Sequence, residues 1–304
     1  MKYLKQLCNL YWARPENALW INKVMNEMEE FQFTGTKLDL MCGHGLWSFI
    51  KAGGELDLDF DGYKDIGNID NYQKGVDIQD HFTGIYKPTI IKRPDYKFEY
   101  GLDWKENNLK KCEKLSFYEN LVQADCNEKL PFDDETFDSI FSNTIYWVDD
   151  LDNIMSEVFR TTKKNGNICL INYLPSINNY IDFYKNNNFS FEWINLIDRN
   201  RSKENKHIFS IDEWKEIYKK HGFNTIKIIP TVNQTYAHIW NIGLRPFAGK
   251  IIKLANKLDE VSYREFKEDW VDTLHAFLKP YASQPYFYNS DLNNCVEAIF
   301  ILEK

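Results

Sequence analysis

Apolar residues recur along this chain in two periods, and the switches between them mark out its elements. Leu19, Val24, Met28 and Phe31 hold one face of a helix opening at Arg14-Pro15, where proline suits the first turn. Residues 37–41 form a short apolar run that breaks at Cys42-Gly43-His44-Gly45 and resumes at 46–50, the pattern of strand, tight glycine turn and helix. Further strands are predicted at 96–102, 120–124, 137–142, 167–173, 223–229 and 296–302. Between them one helix at 105–115 is carried by Leu109, Cys112 and Leu115. Another is carried by Leu151, Ile154 and Val158, with a basic end at Arg160, Lys163 and Lys164 before Asn165-Gly166. Ser210 and Glu213 form a capping box for a third, with Ile211, Trp214, Ile217 and Tyr218 at helical spacing and Gly222 where it stops. Residues 236–283 read as mainly helical.

Two stretches keep neither period. Residues 53–95 are acidic and irregular and read as an insertion, and residues 174–208 are polar and Asn-rich and read as a mobile loop. The chain then divides into an N-terminal helical segment (1–35), an α/β domain (36–230 with 295–304) and a mainly helical cap (231–294). Strands alternating with helices predict a doubly wound parallel sheet, whose ligands bind beyond the carboxyl ends of its strands.

At 304 residues, 43% hydrophobic and 27% charged, the chain has the make-up of a folded protein with a sizeable core. Its 37 Lys plus Arg against 45 Asp plus Glu give a net charge of −8, which argues against nucleic acid as a partner except through a local basic patch. No apolar run approaches the ~18 residues of a membrane span. Lys5, Gln6 and Asn9 break what would be the core of an export signal, so the expected compartment is the cytoplasm. The cysteines are scattered and no two histidines stand three to five residues apart, so no metal pair is predicted.

Gly43 and Gly45 follow the first strand, where glycines let backbone approach a ligand while the next helix presents free N–H groups. The turn alone fits a dinucleotide binder too, but Ser48 stands where the third glycine of that fingerprint would, and no phosphate-binding Lys-Ser/Thr follows. The combination of motifs is more specific. LDLMCGHG, YGLDWKENNLKKCEKL, QADCNEKLPFDDETFDSIFSN and KKNGNICLI, in that order within residues 36–173, resemble class I S-adenosylmethionine-dependent methyltransferases, in particular the branch that acts on small molecules. The insertion and the GLRP-containing tail also resemble methyltransferases of bacterial glycan gene clusters.

The resemblance implies a Rossmann-like seven-stranded sheet with the last strand antiparallel, elaborated by insertions and a helical cap, and S-adenosylmethionine as methyl donor. It implies that Asp39, Gly43 and Gly45 frame the methionine part of the donor, and that Asp103, closing the second strand, accepts from both ribose hydroxyls. Asp125 and Cys126 are implied beside the adenine, and Ser142 and Asn143 along the methyl-transfer site. Tyr146 is a candidate wall of the acceptor pocket. His238, Trp240 and Arg245 are the cap residues expected nearest a small-molecule or sugar acceptor, methylated at a hydroxyl. Two departures stand out: Met41 occupies the place of the turn's first glycine, and Gly45 and Asp103 are 58 residues apart against the ~20 of such a unit, in keeping with the insertion. A non-catalytic binder of the same fold, a nicotinamide-dependent oxidoreductase and an RNA methyltransferase stay open as alternatives. No residue is singled out as a base.

Other features take plainer readings. Asp57, Asp59 and Asp61 copy the opening of a calcium loop, but Asn68 replaces its closing Glu, so an acidic turn is expected. Asp149 and Asp150 read as helix caps, and His221 as facing water. Phe247, Ile251, Leu254 and Leu258, flanked by Lys250, Lys253 and Lys257, read as a face packed on the protein, with peripheral contact to an anionic membrane as the alternative.

Overall fold

Nine strands are present among the residues that the computed structural model describes, which are 2–63, 82, 86–198, 205–244, 246–284 and 289–304. They are β1 (Lys37–Leu40), β2 (Glu55–Leu56), β3 (Ile90–Lys92), β4 (Phe98–Asp103), β5 (Tyr118–Gln123), β6 (Phe137–Ser142), β7 (Thr162–Tyr173), β8 (Asn224–Pro230) and β9 (Glu297–Glu303). Seven of them form one sheet in the order β5-β4-β1-β6-β7-β9-β8. Only β9 runs against its neighbours, so β8 is parallel to β7, as the sequence predicts. Chain order reverses between β1 and β6, which makes their carboxyl ends the crevice where such sheets bind ligands. The register places Asp39 beside Gly101 and Phe141, Ser142 beside Leu170, and Tyr173 beside Glu297.

Both faces are covered, as a mostly parallel sheet requires. On one side lie α2 (Pro15–Glu27), α3 (Leu46–Lys51) and α4 (Glu106–Leu115), whose Leu19, Val24, Phe49 and Cys112 share one core with Phe141 and Ile299. It also takes in α1 (Leu4–Leu10). On the other side α5 (Leu151–Thr161) and α8 (Ile211–Lys220) bring Ile154, Val158, Trp214 and Tyr218 onto Ile168 and Phe300. The predicted capping box of α8 is present, with Ser210 and Glu213 each accepting from the other's backbone N–H. Asp150 caps α5 through the Asn153 N–H, and Asp149 pairs with Lys206.

Several boundaries differ from the sequence reading. α1 was not foreseen: it has seven residues, and Lys5, Gln6 and Asn9 blur a face that buries Leu4, Leu7, Cys8 and Leu10. α2 stops at Glu27 and passes into a single 3-10 turn, which leaves Phe31 outside the helix though still buried. α5 ends at Thr161 and β7 begins at once, so Lys163 and Lys164 are strand residues. The Thr161 and Thr162 hydroxyls turn back to the Glu157 and Val158 carbonyls, at 2.8 and 2.6 Å, and close the helix there. His221 does not face water, because its side chain is 9% exposed and bonds Asp152 at 3.0 Å.

The irregular insertion contains the antiparallel β2–β3 pair, and Gln6 of α1 bonds both the carbonyl and the N–H of Leu56. The acidic turn is used by the protein itself: Asp59 pairs with Arg264 and Asp61 accepts from the Trp12 indole, while Asn68 lies outside the described residues. The stretch read as a mobile loop folds into α6 (Asn179–Asn186) and α7 (Phe191–Asp198), held by mutual packing of Tyr184, Phe189 and Trp193. Aromatic content, not periodicity, makes these two short helices.

Residues 231–294 hold α9 (Gln234–Ile242), α10 (Ala248–Ala255) and α11 (Glu260–Leu278). They are fastened to the N-terminal helices. The Trp240 indole donates to Asn17 Oδ1 at 2.7 Å, Leu244 N–H to Glu16 Oε2 at 3.2 Å, and the Trp270 indole to the Trp12 carbonyl at 2.8 Å. Lys267, buried, donates to the carbonyls of Leu58 and Phe60. α10 packs through Ala248, Ile252 and Ala255, whose small alanines allow close approach, and leaves Phe247, Leu254 and Leu258 exposed, the reverse of the expected face. No helix among the described residues is long and apolar enough to cross a membrane.

Candidate functional site

Beyond Leu40 the chain turns sharply, because Met41, Gly43 and Gly45 all take positive φ, of 59°, 56° and 74°. Met41 accepts the left-handed conformation that glycine would adopt freely, and its partly buried side chain packs on the core cluster of Leu38 and Leu40, not outward over the turn. The turn is closed by the Gly45 N–H on the Cys42 carbonyl at 3.0 Å, and Leu46 N–H lies 3.3 Å from His44 Nδ1. That contact gives the half-buried His44 ring the neutral form, and burial, then the Lys111 ammonium, push its pKa down to about 3.

Two buried carboxylates flank this turn. Asp39 accepts from the Tyr118 hydroxyl at 2.6 Å. Burial pushes it up to about 6, while bonds from Ser48 and Tyr118 pull the other way. Asp103 closes β4, and its Oδ2 accepts the Gly43 N–H at 3.0 Å. Its Oδ1 accepts Lys105 N–H at 2.9 Å and Asn108 Nδ2 at 3.1 Å. Burial raises its pKa, and those three donors oppose the rise. Asn108 Oδ1, buried in the first turn of α4, has no hydrogen-bond partner among the described residues, which leaves an acceptor beside Asp103.

The neighbouring strand ends bring in the other predicted residues. The Ala124 N–H bonds the Asp103 carbonyl at 3.3 Å, which sets Asp125 and Cys126 next to Asp103. Asp125 is exposed and uses Oδ1 to receive both the N–H and Nδ2 of Asn127. Cys126 is buried, which pushes its thiol up to about 12 and makes it unreactive. Ser142 is fully buried at the end of β6, its hydroxyl 3.4 Å from the Thr144 N–H, and Asn143 follows, half-buried. The Thr144 hydroxyl is buried without a partner among the described residues.

Tyr146 is buried against Tyr173, ring centroids 4.5 Å apart. His238 is not drawn to that loop. Its ring neighbours are Phe183 and Tyr184 of α6, at 5.3 and 6.1 Å, and burial lowers its pKa. Arg245 lies outside the described residues. A cleft of about 390 Å³ between α1 and the β2–β3 pair, lined by Gln6, Asn9 and Leu56, lies past the far end of α3 from the glycine turn.

Three residues of this edge were not picked out from the sequence. Tyr118 lies outside the quoted motifs, and Asn108 lies within YGLDWKENNLKKCEKL, in the first turn of the helix that follows Asp103, with no role assigned to it. Glu297 had a signal, a lone carboxylate in the apolar run 296–302. It opens β9 opposite Tyr173, is 5% exposed, and accepts from the Thr231 hydroxyl at 2.8 Å and the Trp20 indole at 3.1 Å.

The sequence matches a family described as a methyltransferase domain over residues 84–170. No curated protein matches it. Similar solved structures include a SAM-dependent methyltransferase of Thermotoga maritima, 15% identical with a TM-score of 0.47, the match covering 74% of this chain and 81% of that one. Another is a SAM-dependent methyltransferase of Archaeoglobus fulgidus, 16% identical with a TM-score of 0.44, covering 92% and 93%.

Proposed function

We propose that this chain is a class I S-adenosylmethionine-dependent methyltransferase, a reading supported by the methyltransferase-domain match over residues 84–170, and that it methylates a hydroxyl of a small-molecule or sugar acceptor held between the carboxyl edge of the sheet and the helices of residues 231–294. The observation that carries the donor side is the union of Gly43 N–H, Asp103 and the unpartnered Asn108 Oδ1 at one point of that edge. Gly43 has open space where a side chain would stand, as a backbone needs if a ligand is to lie on it. Asp103 and Asn108 together offer acceptors for two ribose hydroxyls, Asp125 keeps Oδ2 for the adenine amine, and Asp39 with Gly45 supports the turn against the methionine end. Ser142, Asn143 and Tyr146 border the path from donor to acceptor, and His238 and Arg245 recognise the acceptor from the cap. Methyl transfer is an in-line displacement, so these residues act chiefly by aligning the acceptor and excluding water.

Calorimetric titration tests the donor side. S-adenosylmethionine and S-adenosylhomocysteine should bind with no comparable affinity for NAD, and Asp103→Ala should weaken binding by about 1 to 3 kcal/mol. Preferential binding of NAD would overturn the proposal. On the acceptor side, His238→Ala and Arg245→Ala should impair methyl incorporation across a panel of hydroxyl acceptors while leaving donor binding within about 0.5 kcal/mol.

A further inference from the structure

A hydroxyl nucleophile must lose its proton as the methyl group arrives, and the group that takes it must stand at the acceptor side of the carboxyl edge. The contacts there run in a chain. Tyr146, in the loop after Asn143, packs at a tilt against Tyr173; Tyr173 meets the Trp20 ring at 6.0 Å; and Trp20, itself against Trp240 of α9 at 5.1 Å, donates to Glu297 Oε2. Glu297 thus lies where β7, β9, α2 and α9 converge, on the sheet face that α2 covers. Its carboxylate has only neutral donors among the described residues. Thr231 Oγ1 stands 2.8 Å from Oε1 and 3.0 Å from the Glu297 carbonyl oxygen, and its one proton serves one of the two. Each carboxylate oxygen therefore keeps capacity for a further proton donor.

From this geometry we infer that Glu297 is a catalytic residue, the carboxylate that receives the acceptor's proton. The inference rests on the methyltransferase reading above. In the step, the acceptor oxygen forms the new bond to the methyl carbon, the carbon–sulfur bond breaks with its electron pair going to sulfur, and the O–H proton moves to Glu297, which later releases it to water. Burial pushes the Glu297 pKa up to about 7, against the bonds from Thr231 and Trp20. A base poised there is ionised in useful amount at neutral pH and still basic. The titratable groups that feel its charge, Tyr146 and Cys295, are themselves pushed upward by burial, Cys295 to about 11, so they stay neutral in that range. On α2, Glu16 is paired with Arg14 and Lys23 with Glu27, and the His238 ring of α9 turns to α6.

The test needs no identified acceptor. In protein labelled with glutamate carrying carbon-13 at the side-chain carboxyl, a carboxyl resonance titrating near neutral pH and lost in Glu297→Gln reports this group. If Glu297 faces the methyl-transfer site, bound S-adenosylmethionine should hold its transition lower by about half a pH unit or more than bound S-adenosylhomocysteine, because only the former has a positive sulfur. Equal transitions with both ligands bound overturn the inference and leave the methyltransferase reading intact. Failure of both ligands to bind overturns the two together. Trp20→Phe keeps the carboxylate and removes one donor, so it should move both transitions upward and preserve their difference; it identifies the resonance even if Glu297→Gln does not fold.

Discussion

A Cβ at Gly43 would meet nothing within 4 Å among the described residues, whereas one at Gly45 would meet Tyr118 Cε2 at 2.9 Å and Cys112 Sγ at 3.0 Å. Both positions have positive φ, so alanine costs about 1 kcal/mol at either through the backbone alone. Gly45→Ala in addition drives the Tyr118 ring away from Asp39 and should lower stability by a further 2 kcal/mol or so. Thermal unfolding should therefore separate the two, while calorimetry should show Gly43→Ala losing donor affinity by more than its small loss of stability. Glu297 makes a separate statement about pH. Its pKa rises from 4.5 to about 7 on folding, so the stability it contributes is fully present below about 4.5 and lost as pH rises through 7. Glu297→Gln should accordingly unfold at a higher temperature than the natural protein at pH 8, by the equivalent of roughly 3 kcal/mol at most, and the difference should vanish towards pH 4.5. A variant that is less stable at pH 8 would mean that the carboxylate is ionised without penalty.

The α8 cap shows how directly some elements can be read. Ser210 and Glu213 announce a helix start by their spacing, the bonds form as that spacing demands, and Ser210→Ala should cost about 1 kcal/mol in denaturant unfolding without altering donor binding. The glycine turn and the mostly parallel sheet were legible for a similar reason, since turn residues and strands alternating with helices are local or topological constraints. α1, α6 and α7 were not, because helices of seven or eight residues give too little period, and α6 and α7 owe their place to rings that meet only in the fold. On the site, Gly43 N–H bonds Asp103 and Asp125 follows on the neighbouring strand end, whereas Asn108, Tyr118 and Glu297 matter through partners 5, 79 and 277 residues away. Asn108 sits in a quoted motif that gave it no role, and Glu297 left a trace of its own, whose meaning depended on which helix would cover it.

At the scale of the whole molecule, the helices of residues 231–294 are bound to α2 through Trp240 and Leu244, to the α1–α2 connection through Trp270, and to the acidic turn through Lys267. β9 follows every other strand in the chain yet lies inside the sheet, between β7 and β8, with seven register pairs on the β7 side. Removing residues 297–304 should therefore not trim an edge but detach β8 and leave two rows of backbone groups unpaired, so that the truncated protein fails to give the cooperative unfolding transition of the full chain by circular dichroism. The same placement has a consequence for synthesis. On the ribosome, β1 to β7 can pair as they emerge, but β8 must wait with no neighbour until β9 has left the exit tunnel and slipped in beside it. The interval in which β8 and the β7 edge that β9 will cover stay open is when this chain is most prone to pair with another copy of itself, and a chaperone would act on that interval above all others.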